Sequence, residues 1–285
     1  MHVNLELEPS VLDLDVADVY KRITWFIKEY VENAGAKGVV LGLSGGIDSC
    51  TIAALSANAL GGDRVLGLIL PERETYNIQD IEDAKYVAEK FQLRTQVCDI
   101  TPALEGFFNT IPIFETEDRI CKGNIKARTR MIYLYYYSNK LNHIVCGSSD
   151  KSETMMGYFT KWGDAASDIA PILDLYKTQV RKLAEYMGLP SELTQKASTP
   201  ALWPGQTAEE ELGIKYQTLD IILFGLERFL TVEEIAKKMK IEEDIVIKVK
   251  KRWQSVEHKR RMPLSPKLGY RTVGADFRLP LNDGD

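Results

Sequence analysis

The stretch VVLGLSGGIDSC, residues 39–50, decides the fold. VVLGL (39–43) reads as a buried strand, two adjacent glycines interrupt it, and Ile47, Ile52, Leu55 and Leu60 then recur at helical spacing until Gly61-Gly62. Working outward, RVLGLILP (64–71) reads as a second strand, DIEDAKYVAEKFQ (80–92) as a helix and LRTQVCDI (93–100) as a third strand. Upstream, Val19, Ile23, Phe26, Ile27 and Tyr30 mark one face of a helix over 18–33. Strand and helix alternating with short turns predict a parallel sheet covered on both faces, a Rossmann-like doubly wound α/β fold. Downstream, an irregular stretch holds Pro102 and Pro112, a long helix is expected over 117–139, and NHIVCGSS (142–149) reads as a fourth strand. A helix over 179–187, an irregular segment over 197–213 and helices over 214–229 and 231–261 follow, the last broken near Ile241. Residues 1–285 read as one α/β domain with additional C-terminal helices and a frayed end.

Composition narrows the function. The 285 residues carry 36 basic and 41 acidic side chains, a net charge of -5, which excludes a general nucleic-acid binder. A hydrophobic fraction of 45% with 27% charged residues is that of a globular protein. Cys50, Cys98, Cys121 and Cys146 form no CxxC pair, so free thiols in a reducing compartment are expected. MHVNLELEPS lacks the basic-then-apolar order of a leader and no apolar run reaches membrane-spanning length, so the expected location is the cytoplasm.

In doubly wound sheets ligands bind beyond the carboxyl ends of the strands, where the 44–49 loop would lie. Gly45 and Gly46 let backbone approach a ligand closely, and the helix behind them offers free N–H groups to an anion. Ser44 and Ser49 add hydroxyls. Asp48 would repel phosphate unless a cation lay between them, and magnesium held by carboxylates and phosphate oxygens resolves that conflict. The plainer alternative is a helix cap by Ser44 or Asp48. Neither GxxxxGK[ST] nor GxGxxG is present.

SGGIDS resembles the SGGxDS pyrophosphate loop of the N-type ATP pyrophosphatases. GNIKARTRM (123–131), GYFTKWGDAASDIAPILDLYKTQV (157–180), TPALWPGQTAEEELGIKY (199–216) and EHKR (257–260) together resemble the NAD synthetase family, in order over residues 20–262. The resemblance implies amidation of deamido-NAD to NAD through an acyl adenylate, with ATP giving AMP and pyrophosphate. A chain of this length leaves no room for a nitrilase-like glutaminase, so ammonia is the expected nitrogen donor.

The same resemblance implies the site. ATP and pyrophosphate would be bound by Gly42, Leu43, Ser44, Gly45, Gly46, Ile47, Asp48 and Ser49, with Ser148, Lys177 and Thr199. Asp48 and Glu153 would hold magnesium, and Arg128, Lys161, Asp168, His258 and Lys259 would bind deamido-NAD. No covalent nucleophile is required, and Cys50 reads as packing. The 117–139 helix would form a homodimer interface. Asn124, Arg128, Met131, Ile132 and Tyr135 share one helical face, which would make Arg128 a cation in an apolar stripe, while Lys126 and Arg130 point elsewhere. Lys177 would stand at a helix start, where a cation opposes the dipole unless an anion binds. The 199–213 segment would be a lid. The family usually has glycines where Ala165-Ala166 stands, which bears on the contact expected of Asp168. Other ATP pyrophosphatases and a non-catalytic nucleotide sensor are the rival readings; release of pyrophosphate would exclude the sensor.

Overall fold

The structure, a computed structural model, describes residues 6–273 together with 276 and 277. The expected fraying of the last residues falls outside that range. Strands β1 (Gly38–Gly42), β2 (Val65–Ile69), β3 (Arg94–Val97) and β4 (His143–Val145) form one parallel sheet in the order β3-β2-β1-β4. Val39 is in register with Val65 on one side and Ile144 on the other.

Alternation along the strands builds two cores. Val39, Leu41 and Val65 pack against α1 (Val16–Asn33), α2 (Ile47–Leu60), α3 (Ile78–Lys90) and α7 (Lys177–Tyr186). Val40, Leu66 and Leu68 face the other way, against α4 (Thr101–Thr110) and α5 (Arg119–Leu141). Helix α2 is buried at every position from Ser49 to Ala57. Its small side chains, Ala53, Ala54, Ser56 and Ala57, let it lie close in the middle of the layers, and Thr51 satisfies its hydroxyl on the carbonyl of Ile47 at 2.8 Å. A helix buried all round shows no amphipathic stripe; the spacing of Ile47, Ile52, Leu55 and Leu60 marked it and Gly61-Gly62 its end.

Two segments expected to be irregular are partly helical. Helix α4 contains Pro102, tolerated because it stands in the first turn, where no intrahelical N–H bond is lost. Within 197–213, residues Ala208–Leu212 are helical, ended by Gly213 in a left-handed conformation at φ 69°. Four short helices are therefore α6 (Lys151–Met155), α8 (Ser191–Thr194), α9 (Ala208–Leu212) and α13 (Glu257–Arg260). The remaining layer, α10 (Tyr216–Glu227), α11 (Val232–Met239) and α12 (Glu243–Ser255), packs around Leu219, Ile222, Ile235 and Val246. The expected break near Ile241 is there: Lys240 turns left-handed at φ 54° and closes α11.

Strand order reverses at β1. Its successors β2 and β3 run out on one side, while β4 returns to the other. The loops after β1 and β4 therefore part above the sheet and open a crevice, the place where such folds bind ligands. Among the described residues no helix is long and apolar enough to cross a membrane.

Candidate active site

The crevice is a cleft of about 1050 Å³. Its walls include Gly42–Ser44, Gly46–Ser49, Ser148, Glu153, Thr199 and Lys259. Gly45 takes φ +80°, and a Cβ there would lie 2.0 Å from the carbonyl oxygen of Asp80. Only glycine meets both demands, and that contact presses the loop against the start of α3. The loop hydroxyls are engaged within the loop rather than free. Ser49 Oγ donates to the Gly46 carbonyl at 2.9 Å and accepts from the Ser44 N–H at 3.2 Å, and the two hydroxyls lie 3.0 Å apart. The serines thus brace the backbone that faces the cleft.

At the floor, Asp48 from α2, Asp150 and Glu153 from the start of α6, and Lys177 from α7 converge. Lys177 Nζ lies 2.6 Å from Asp48 Oδ2, 2.8 Å from Asp150 Oδ2 and 2.9 Å from Glu153 Oε1. Lys177 and Asp150 are fully buried, and Tyr216 stacks its ring 5.4 Å from the ammonium. Carboxylate oxygens from the three acids fall within 4.8 Å of one another. Burial alone would push Lys177 down, but Asp150, Asp48 and Glu153 hold it well above its ordinary value, so it stays charged. Burial raises the Asp150 carboxyl and lifts Glu153 to about 8, Lys177 only partly opposing it. Three acids against one ammonium leave the floor short of positive charge. Asp48 Oδ1, buried, has no hydrogen-bond partner. A hard divalent cation, which takes oxygen ligands only, fits that donor set.

Asp150 went unassigned in the sequence, although its spacing to Glu153 carried a signal. An acid followed three residues later by Glu is a helix-start pattern, and Asp150 indeed caps α6 by accepting the Glu153 N–H at 2.8 Å. The expected cation at a helix start is also found: Lys177 is the first residue of α7.

A second group gathers at one rim. Arg128 donates to the Lys161 carbonyl at 3.3 Å, and Lys161 Nζ to the carbonyls of His258 and Arg261 at 2.7 and 2.9 Å. Lys259 donates to the carbonyls of Gly157 and Phe159 and lies 4.7 Å from the Phe159 ring. Asp168 lies apart from this group, against the end of β4: its carboxylate accepts from the Val145 N–H at 2.8 Å and the Tyr135 hydroxyl at 3.2 Å. The stripe of α5 that carries Arg128 needs correcting. Arg128 and Ile132 are exposed, while Asn124, Met131 and Tyr135 are half-buried, the first two in the cleft wall, so Arg128 is not a cation enclosed among apolar groups. The buried face carries Gly123, Lys126, Ala127 and Thr129 instead. Helical spacing groups residues by face but does not say which face turns inward.

Other cations bear on the cleft, among them Lys126, Lys196 and Arg130. Lys126, fully buried, joins Glu72 and Glu74 at 2.7 Å each and the Leu202 carbonyl at 2.8 Å. Burial would raise Glu72, but the bonds from Lys126, Thr75 and the Glu74 N–H outweigh it and hold the carboxyl low. Lys196 reaches Asp80 and Asp83 at 2.6 Å each and the Gly45 carbonyl at 3.3 Å. Arg130, also in the cleft wall, donates to the Leu70 carbonyl at 3.2 Å. Lys196 and Lys126 thus tie the segment between α8 and α9 to the glycine loop and to α5. Within that segment Thr199 turns the chain, its hydroxyl accepting from the Ala201 N–H at 3.0 Å, and caps no helix.

The chain is similar to known proteins over most of its length. A sequence model described as "NAD synthase" matches residues 19–263. An NH(3)-dependent NAD(+) synthetase of Methanocaldococcus jannaschii is 49% identical, over 88% of this chain and 97% of that protein. A solved NH3-dependent NAD synthetase of Campylobacter jejuni superposes with a TM-score of 0.75 at 30% identity, over 90% of this chain and 100% of the other. A solved NMN synthetase of Francisella tularensis gives a TM-score of 0.79 at 33% identity, again over 90% and 100%.

Proposed function

Because the chain belongs to the NAD synthase family, we propose that it amidates deamido-NAD with ammonia to give NAD, converting ATP to AMP and pyrophosphate. The observation that carries this reading is the buried ammonium of Lys177 set among three carboxylates beside a glycine loop, at the point where the strand order reverses. A binding module has no use for such a charge concentration; splitting ATP between its α- and β-phosphates does.

A carboxylate does not yield to ammonia, because oxide would have to leave. Attack of the nicotinate carboxylate on the α-phosphorus expels pyrophosphate, and the resulting acyl adenylate gives ammonia a carbon from which AMP departs. The 42–49 backbone and the start of α2 receive the phosphates, with Ser148 and Thr199 beside them and Lys177 below. Asp48 and Glu153, joined by Asp150, would hold magnesium, for which the unpartnered Asp48 Oδ1 and the all-oxygen donor set speak. When bound, magnesium would offset the charge of the β- and γ-phosphates and of the departing pyrophosphate. No covalent nucleophile is needed, and Cys50 is unsuited to the role: it is fully buried, its thiol pushed up to about 12 by burial.

Arg128, Lys161, Asp168, His258 and Lys259 would hold deamido-NAD so that its carboxylate meets the α-phosphorus. The outward face of α5 supports a homodimer joined there, because it puts Arg128 beside exposed Ile132 and Tyr136. The segment between α8 and α9 would exclude water from the adenylate, and its ties through Lys126 and Lys196 suit a cover over the cleft. Contacts of α10 with both α6 and α7 favour one catalytic domain. Free thiols at all four cysteines favour a reducing, cytoplasmic setting.

The test is NAD formation from deamido-NAD, ATP and magnesium, with ammonium chloride or glutamine as nitrogen source. Product with ammonium alone is expected; equal product with glutamine in ammonia-free enzyme would overturn the ammonia reading. The similarity to an NMN synthetase favours a parallel reaction with nicotinate mononucleotide. Faster turnover of the mononucleotide would move the substrate from dinucleotide to mononucleotide.

A further inference from the structure

Asp220 lies on α10, beneath the charge cluster, and is fully buried. Its Oδ2 accepts from the Thr178 N–H at 2.9 Å and the Thr178 hydroxyl at 2.8 Å, and its Oδ1 accepts from the Ser152 hydroxyl at 2.5 Å. Ser152 Oγ in turn accepts the Lys177 N–H at 2.9 Å. One carboxylate therefore engages the first turns of two helices, α6 through Ser152 and α7 through Thr178. The next residue after Ser152 is Glu153, and the residue before Thr178 is Lys177.

From this arrangement we infer that Asp220 is a positioning residue for the reaction, fixing Glu153 and Lys177 relative to each other without touching a substrate. The inference rests on the reading of those two residues as phosphate- and magnesium-handling groups.

The physical case has three parts. Helix starts leave N–H groups without intrahelical partners, and at α7 two of these, from Lys177 and Thr178, are satisfied by Ser152 and by Asp220. A carboxylate there also favours the helix dipole, which the Lys177 ammonium opposes. Lastly, a buried carboxylate is costly unless its lone pairs are used, and Asp220 uses both oxygens on three donors. Burial raises its carboxyl to about 6, so it remains mostly ionised at neutral pH. The packing of α10 against α6 and α7 makes the bond set rigid. A carboxylate so held orients its neighbours, and the loss of such a partner ordinarily costs about 10–100-fold in metal affinity or activity.

The experiment compares Asp220→Ala, Asp220→Asn and Asp48→Ala with the unaltered enzyme in the NAD-forming assay, with kcat expressed per folded molecule. Asp220→Ala is expected to lower kcat about 10–100-fold and to raise the magnesium concentration needed for half activity. Its KM for deamido-NAD should stay within about twofold, because the rim residues are untouched. Asp220→Asn should recover most of the loss, since its carbonyl oxygen can accept from Thr178 while its amide donates to Ser152. A purely structural role predicts the reverse: lowered melting temperature in both variants, with unchanged kcat and magnesium dependence per folded molecule. That result would overturn the inference. Should Asp220→Ala fail to fold, Thr178→Val keeps the side-chain volume and removes one of the three bonds. It should still lower kcat about threefold to tenfold, and full activity there would refute the positioning role. Asp48→Ala separates the two readings. If it is inactive while the Asp220 variants are fully active, only the role of Asp220 fails; if it is active, the reading of the whole cluster fails.

Discussion

Asp48→Asn should leave the ligand-free protein nearly as stable as before and remove its response to magnesium and ATP. Lys177 Nζ lies 2.6 Å from Asp48 Oδ2. At an effective dielectric constant of about 20 that attraction is worth about 6 kcal/mol. The same carboxylate stands with Asp150 and Glu153 in a set whose ligand oxygens fall within 4.8 Å of one another. Above about pH 8, where Glu153 has given up its proton, each of those two repulsions is at least about 3.5 kcal/mol on the same scale, so at that pH they together offset the attraction. Removing the charge thus changes stability by about 1 kcal/mol, or about 2–4 °C in melting temperature for a chain of this size class.

Ligand response is a different matter. Magnesium and ATP at a hundred times their dissociation constant should stabilise the unaltered protein by about 2.7 kcal/mol. The variant keeps the shape of Asp48 but loses the anionic oxygen that has no other partner. Thermal unfolding with and without magnesium and ATP measures both effects, and pyrophosphate release measures turnover. A loss above about 3 kcal/mol without ligand would mean that Asp48 serves chiefly as a structural partner of Lys177. An undiminished ligand-induced shift would remove Asp48 from the magnesium set.

Three other outcomes follow from the geometry. Gly45→Ala puts a Cβ 2.0 Å from the Asp80 carbonyl oxygen at φ +80°; it should cost about 1–3 kcal/mol and, by displacing the loop, about 100-fold in kcat, both measurable on purified protein. Lys126→Met leaves the buried Glu72 without its cation and should lower the free energy of unfolding by about 3–5 kcal/mol in urea, with partial recovery in the double variant Lys126→Met/Glu72→Gln. The third concerns pH. Because Glu153 is raised to about 8 in the folded protein, it binds a proton there that the unfolded chain has released. The associated stability is complete below about 4.5 and is lost as pH rises toward 8, with a slope of at most about 1.4 kcal/mol per unit for one proton. Urea unfolding in a chelator across that window should show the decline, and Glu153→Gln should flatten it.

Three of the four strands were legible because each is a short apolar run closed by glycine or proline, whereas β3, Arg94–Val97, is polar and exposed and was legible by its place after a helix. The glycine loop was legible for the same reason, since Gly45-Gly46 sits at a strand-to-helix switch. What spacing could not supply was direction. Arg128 and Lys126 stand two residues apart on α5, and only packing decides that Lys126 is enclosed while Arg128 faces outward. Nor could it show the partners of buried charges. Lys196 with Asp80 and Asp83, or Asp220 with Ser152 and Thr178, are separated by 42 to 116 residues, and nothing local marks any of them as a pair. Asp150 lay between: its capping pattern was readable, but its part in the acidic cluster depends on α7 arriving from elsewhere in the chain.

The placement of Lys177 explains why this end of the sheet is built from so many charged groups. A lysine at the first residue of a helix is unfavourable by the dipole, and a fully buried one more so by desolvation. Both penalties are met by the three carboxylates within 2.9 Å, which then leave the cluster with excess negative charge. That excess would be a liability in a core serving stability alone, where apolar side chains of the same volume would do as well or better. It suits a site whose substrate arrives as a polyphosphate with a divalent cation. On the proposed reading, the carboxylates of Asp48, Asp150 and Glu153 would hold the cation, while the Lys177 ammonium and the start of α2 would receive the phosphates. On this argument the charged floor is least favourable when empty and best compensated when loaded, so the stability it sacrifices returns as affinity for the reacting complex.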